Sequence, residues 1–179
     1  MSLSEIITKE IREMKEIEEK KCNIIINDIP EIDSTREVDL EKLTSIGVQN
    51  GDNVRSAVEK LFTKIEATGV EIKECIRIPN RRGGQEEDSP GKLLVKLNEP
   101  KMQKKVLEKA KNMKNIVGWS TTYISPDLTK AQREKAYQLR VERRRRSAAG
   151  ETNLVIRNGA VVARESRHFR ESGEAERPQ

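Results

Sequence analysis

Cys22-Asn-Ile-Ile-Ile-Asn27, closed by Asp28-Ile-Pro30, is the stretch on which the fold turns. Three successive β-branched isoleucines suit the pleated, buried surface of a central strand and are stiff in a helix. Pro30 ends the ladder because it has no backbone N–H to donate. A central strand needs partners on both edges and a layer over at least one face. The rest of the chain must supply both.

Reading outward, Ser4 to Lys20 has no Gly or Pro and is rich in Glu, Lys and Arg. It reads as a helix, with Leu3, Ile7, Met14 and Ile17 at heptad-like spacing and Glu10 interrupting the seam. Two roles fit: the end of a longer coiled coil, or a short helix packed on the domain. Glu31 to Asp52 is polar and reads as a long loop, with room for one or two weak helical turns. Residues 53–67 form an amphipathic helix, since Val54, Val58, Leu61, Phe62 and Ile65 recur at helical spacing. Asp52 is placed to cap its start, and Gly69 follows its end. Residues 71–78 are a strand with imperfect alternation, and residues 80–91 an exposed loop. Residues 92–98 alternate as a strand. A helix follows from Pro100 to Asn112, its stripe made by Met102, Val106, Ala110 and Met113. Residues 121–124 are the last strand, ended by Ser125-Pro126.

Strand, helix, strand, strand, helix, strand is the β-α-β-β-α-β order of ferredoxin-like and RNA-recognition-motif (RRM) domains, an α+β fold. Beyond it, Thr129-Lys-Ala-Gln132 fits a capping box opening a helix that runs to Ala149, with Gly150 as its stop. Asn158-Gly159 between two apolar runs signals a β-hairpin. The expected organisation is an N-terminal helix or coiled-coil stub (1–20), an RRM-like domain (21–126), a basic helix with hairpin (127–164) and a disordered tail (165–179).

Hydrophobic residues are 34% and charged residues 36% of the chain, so much of it is solvated rather than core. The net charge of +5 is modest, but its distribution is not. Residues 101–114 hold six lysines against Glu108, and residues 129–146 hold eight Lys or Arg against Glu134 and Glu142. The acids gather in the first 60 residues and at Glu86, Glu87 and Asp88. Such asymmetry is the footprint of a polyanionic partner.

The pattern excludes several chemistries. Cys22 and Cys75 are too few and too far apart for a zinc site, and read as buried thiols in strands. His168, the single histidine, lies in the polar tail. Arg82-Gly83-Gly84 lacks the Lys and helix of a phosphate loop. No cofactor, metal, catalytic site or membrane span is expected, and the protein reads as soluble and intracellular. The candidate nucleic-acid contacts are Arg77, Arg81 and Arg82 at the second strand and its loop, which equally fit pairing with Glu86, Glu87 or Asp88, Lys104 and Lys105 on the second domain helix, and Arg133, Arg140, Arg143, Arg144, Arg145 and Arg146 on the basic helix. Arg133, Arg140 and Arg144 share one side of that helix. The four-arginine run also fits a nuclear-import signal, and the two roles are compatible. Aromatics make up 3% of the chain. The sheet face is therefore poor in the stacking rings that read unpaired bases, and binding should be backbone-dominated and salt-sensitive.

Asn23-Ile-Ile-Ile-Asn-Asp-Ile-Pro-Glu31, Ile76-Arg-Ile78, Gly91-Lys-Leu-Leu-Val-Lys-Leu97 and above all Tyr123-Ile-Ser-Pro-Asp-Leu-Thr129 resemble the nucleic-acid-binding protein of the first open reading frame of LINE-type non-LTR retrotransposons. Gln132-Arg133, Leu139-Arg140 and Asn153-Leu-Val-Ile-Arg-Asn-Gly159 continue the resemblance, which spans residues 20–162. It implies an RRM domain preceded by a coiled coil, homo-oligomerisation through that coil, a cytoplasmic ribonucleoprotein with the element's own RNA, and nucleic-acid chaperone activity. Arg77, Arg133 and Arg140 match the family's basic positions.

The expected function is binding of RNA or single-stranded DNA with low sequence specificity. The alternative is a protein–protein adaptor that pairs through its sheet, with the N-terminal helix as an oligomerisation arm.

Overall fold

The computed structural model describes residues 2–79 and 91–164; Arg81, Arg82, His168 and the expected disordered tail lie outside the described residues. The chain divides into two compact units at the Thr129–Lys130 junction. The first is α+β, with four strands in one antiparallel sheet, β1 (Asn23–Asn27), β2 (Ile72–Ile78), β3 (Lys92–Leu97) and β4 (Tyr123–Pro126). Their order across the sheet is β2-β3-β1-β4. The isoleucine run is thus interior, with β3 on one side and β4 on the other. The last strand runs through Ser125-Pro126 rather than ending at Ile124. That is tolerated because β4 is an edge strand, where a missing N–H costs no ladder bond.

Strand register sorts the side chains. Ile24, Ile26, Leu93, Val95 and Leu97 face the helices and are fully or almost fully buried. Each contributes roughly 1.5–3 kcal/mol of burial. In β2 the register shifts between Ile72 and Glu74. The shift accounts for the imperfect alternation, and it puts Ile72, Cys75 and Arg77 on the helix side. Cys22 precedes β1 instead of lying in it, and both cysteines are half-buried and free.

Helices α3 (Val54–Lys64) and α4 (Pro100–Lys109) cover that side, and a 3-10 turn (Ala110–Asn115) extends α4. Val58, Leu61, Phe62, Ile65, Met102, Val106 and Met113 complete the core with Trp119. Two local expectations change. The residue capping α3 is Asn53, whose side chain accepts from Ser56 N at 2.9 Å. Asp52 instead accepts from Ser56 Oγ at 2.8 Å and Lys60 Nζ at 2.5 Å. The helix also stops earlier than Ala67, since Glu66 adopts φ 65° and Ala67 N bonds back to Phe62 O.

The largest correction concerns the polar stretch 31–52, which is no long loop. It forms α2 (Glu37–Ser45) and buries Leu43, Ile46 and Lys42. Lys42 Nζ reaches Asp28 Oδ2 at 2.9 Å and Thr121 Oγ1 at 3.3 Å. Trp119, fully buried, donates Nε1 to Lys42 O at 3.1 Å and Ser45 Oγ at 3.0 Å. A charged residue can sit this deep because its partners satisfy it.

Helix α1 (Leu3–Lys20) opens on a capping box between Ser2 and Glu5 and buries none of its residues. It is tied down at its last turn, where Lys20 Nζ pairs with Asp127 at 3.4 Å and Gln103 donates to Lys20 O. Leu3, Ile6, Ile7, Ile11 and Met14 remain exposed.

The second unit is α5 (Lys130–Ala148) with the hairpin β5 (Leu154–Arg157) and β6 (Ala160–Ala163). Gly150, at φ 96°, ends the helix in a Schellman motif: Glu151 N bonds Arg146 O and Gly150 N bonds Ser147 O. Asn158 and Gly159 both have positive φ (51° and 74°), as a type I′ hairpin turn requires.

Candidate nucleic-acid interface

Helix α5 holds eight Lys or Arg against two Glu, so the remainder of the chain is close to neutral. At 3.6 residues per turn, Arg133, Tyr137, Arg140 and Arg144 stand at i, i+4, i+7 and i+11, within about 60° of one another. All four are exposed. Glu134 lies about a quarter turn away and Glu142 on the opposite side. Arg133, Arg140, Arg143 and Arg144 have no hydrogen-bond or ion-pair partner among the described residues.

The four-arginine run splits by role. Arg145 donates Nε and Nη2 to the two oxygens of Glu142, each at 2.8 Å. Arg146 donates Nε and Nη2 to Glu151 at 2.9 and 2.5 Å, and Nη1 to Val161 O at 2.7 Å. Those bonds hold both carboxyls, Glu142 and Glu151, below the ordinary glutamate range. Arg146 therefore ties the strand β6 and the helix cap to α5. Arg143 and Arg144 keep their donors for solvent or a ligand.

In the first unit the candidates diverge. Arg77 lies on the helix side of the sheet. It donates Nη1 to Ile29 O at 2.8 Å and Nη2 to Pro30 O at 2.9 Å. Its Nε lies 3.2 Å from Glu31 Oε1 but makes no hydrogen bond. Burial works against its charge, with Glu31 and Asp33 opposing that effect. Lys105 is tied to the carbonyl of Thr68. Lys104 is exposed and unpaired among the described residues.

The opposite face of the sheet carries Ile25 of β1, Leu94 of β3 and Ile76 of β2 in one row, by register. Sequence reading could not tell which of three isoleucines and three neighbours would face out; the register selects these. Beside them on β4, Tyr123 is 59% exposed opposite Asn27. Tyr123 and Tyr137 are functional candidates that a charge-led reading passes over. For Tyr137 the signal was present, in its spacing of four from Arg133 and three from Arg140.

No family model and no curated protein matches the chain. Among the described residues, no group of His, Cys, Asp and Glu is placed to hold a metal ion, and no helix is long and apolar enough to cross a membrane.

Proposed function

We propose that the protein is a non-catalytic RNA- and single-stranded-DNA-binding protein of low sequence specificity. The observation that carries this reading is α5, where Arg133, Arg140 and Arg144 align on one face, without partners among the described residues, while the helix's acids lie elsewhere. Guanidinium groups neutralise phosphates and release counterions, and the affinity they provide does not depend on sequence. The aliphatic row Ile25, Leu94 and Ile76, with Tyr123 as a lone ring beside it, supports the low-specificity part of the reading, because base stacking on a sheet of this type uses two or three aromatic rings.

The strand order β2-β3-β1-β4, with helical connections after β1 and β3, supports a ferredoxin-like, RRM-type arrangement for the first unit. With the motif resemblance around Tyr123–Thr129, it favours a LINE-type first-open-reading-frame protein acting in a cytoplasmic ribonucleoprotein, with chaperone-like activity on nucleic acid. The exposed apolar stripe of α1 supports self-association of that particle's protein; it is also what an adaptor would use.

The test is fluorescence anisotropy of labelled single-stranded RNA across a salt series, with wild type and an Arg133→Ala, Arg140→Ala, Arg144→Ala variant. Each lost phosphate contact should flatten the log–log slope by about 0.7, so the variant should lose about 2. Absence of wild-type binding at low salt would overturn the reading in favour of the adaptor.

A further inference from the structure

We infer that Tyr137 stacks on an unpaired base, so that α5 grips single strands in preference to duplex. The inference rests on the nucleic-acid-binding reading above and names how that helix selects its ligand. In a chain with 3% aromatics, ring side chains would be expected in the core first, because they bury the most area. Trp119 and Phe62 follow that rule, at 0% and 3% exposure, whereas Tyr123 on the sheet edge and Tyr137 on α5 are 59% and 53% exposed, and of these two Tyr137 is the one set among arginines. Its position is not random on the helix. It stands one turn from Arg133 on one side and from Arg140 on the other, with Arg144 two turns on.

That stripe spans roughly 16 Å from Arg133 to Arg144 at 1.5 Å per residue. It holds three guanidinium groups, one phenol ring and no carboxylate. Of the three α5 arginines off the stripe, Arg145 and Arg146 are engaged by Glu142 and Glu151, and Arg143 has no partner among the described residues. Positive charge is therefore left available where the ring is, while Arg145 and Arg146 on the other sides of the helix are ion-paired. Cations that track a backbone, interleaved with a ring that accepts any base, are the two parts of a non-specific single-strand site. A duplex keeps its bases stacked inside and offers the ring nothing, so it meets the arginines alone.

The experiment compares single-stranded and duplex RNA of the same sequence by anisotropy, with wild type, Tyr137→Leu, Tyr137→Phe and the triple arginine variant. Leucine preserves helix propensity, and circular dichroism checks the fold. Tyr137→Leu should weaken single-strand binding about tenfold, a typical loss for one stacked base. It should leave the salt slope and duplex affinity unchanged, while Tyr137→Phe binds like wild type. If the triple variant loses affinity and Tyr137→Leu does not, the stacking inference falls and the phosphate-binding function stands. Equal losses on single strand and duplex would also overturn it. If wild type binds neither, the function itself falls, and the inference with it.

Discussion

Arg146 and Glu151 face each other across the C-terminal cap of α5 in a bidentate pair, at 2.9 and 2.5 Å. The third donor of the same guanidinium reaches across to Val161 O in the hairpin. The pair makes one member of a four-arginine run a staple between helix and hairpin.

Arg146→Ala should therefore loosen the hairpin rather than the nucleic-acid contact. Hydrogen exchange of the β5 and β6 amides should speed up, with little change in the salt slope of RNA binding. Arg143→Ala with Arg144→Ala should do the opposite, flattening the slope by about 1.4 for two contacts and leaving amide protection as in wild type. A uniform loss of affinity across all four positions would contradict the division of roles.

Lys42 is 5% exposed and pairs with Asp28, Thr121 and Thr122. Removing Lys42 takes away the hydrogen bonds of the half-buried Asp28 and of Thr121 and Thr122, at a cost of about 1–3 kcal/mol. Lys42→Ala should lower the urea midpoint accordingly. Trp119 is the chain's one tryptophan and touches this network, so its fluorescence reports the transition directly. A Lys42→Ala protein as stable as wild type would show that the network is not needed.

The Asp52 carboxyl is held at about 2, chiefly by the hydrogen bond from Lys60 and then by Gln49 N and Ser56. A depressed carboxyl stabilises the fold above its unfolded value, about 3.9, and the gain is lost as pH falls through the folded value. Asp52→Asn should thus cost stability at neutral pH and narrow the gap to wild type between about pH 4 and pH 2. Urea midpoints measured across that range check it; a constant gap would assign the effect to packing instead.

The exposed stripe of α1 predicts concentration-dependent self-association. Ile7→Glu with Met14→Glu should shift the species seen by light scattering toward monomer. The sheet should be unaffected, because neither residue is buried. Identical masses for variant and wild type would remove α1 as an oligomerisation face.

Much of this architecture was legible in the chain because it is governed locally. The helical spacing of Val58, Leu61, Phe62 and Ile65 names a buried face whatever lies opposite it. Asn158-Gly159 needs only its own two positive φ angles to turn a hairpin. The isoleucine run at Ile24–Ile26 needed a sheet around it, and the antiparallel sheet is there.

What stayed hidden depends on partners distant in sequence or on a single inserted residue. Helix α2 looked like loop because its buried face is anchored by Lys42, whose partners lie 14, 79 and 80 residues away. Arg77 offered either a ligand contact or a pairing with the loop acids, because alternation counted along β2 misses the register shift near Lys73, which turns its side chain toward Ile29 and Pro30. The pairing of Arg145 with Glu142 and of Arg146 with Glu151 stayed hidden because charge can be counted in a sequence but an ion pair cannot. Residue types and their periodicity determined the elements and the abundance of positive charge. Only tertiary structure decided which of those charges are available, because an ion pair depends on distance in space, and chain order alone does not set that distance.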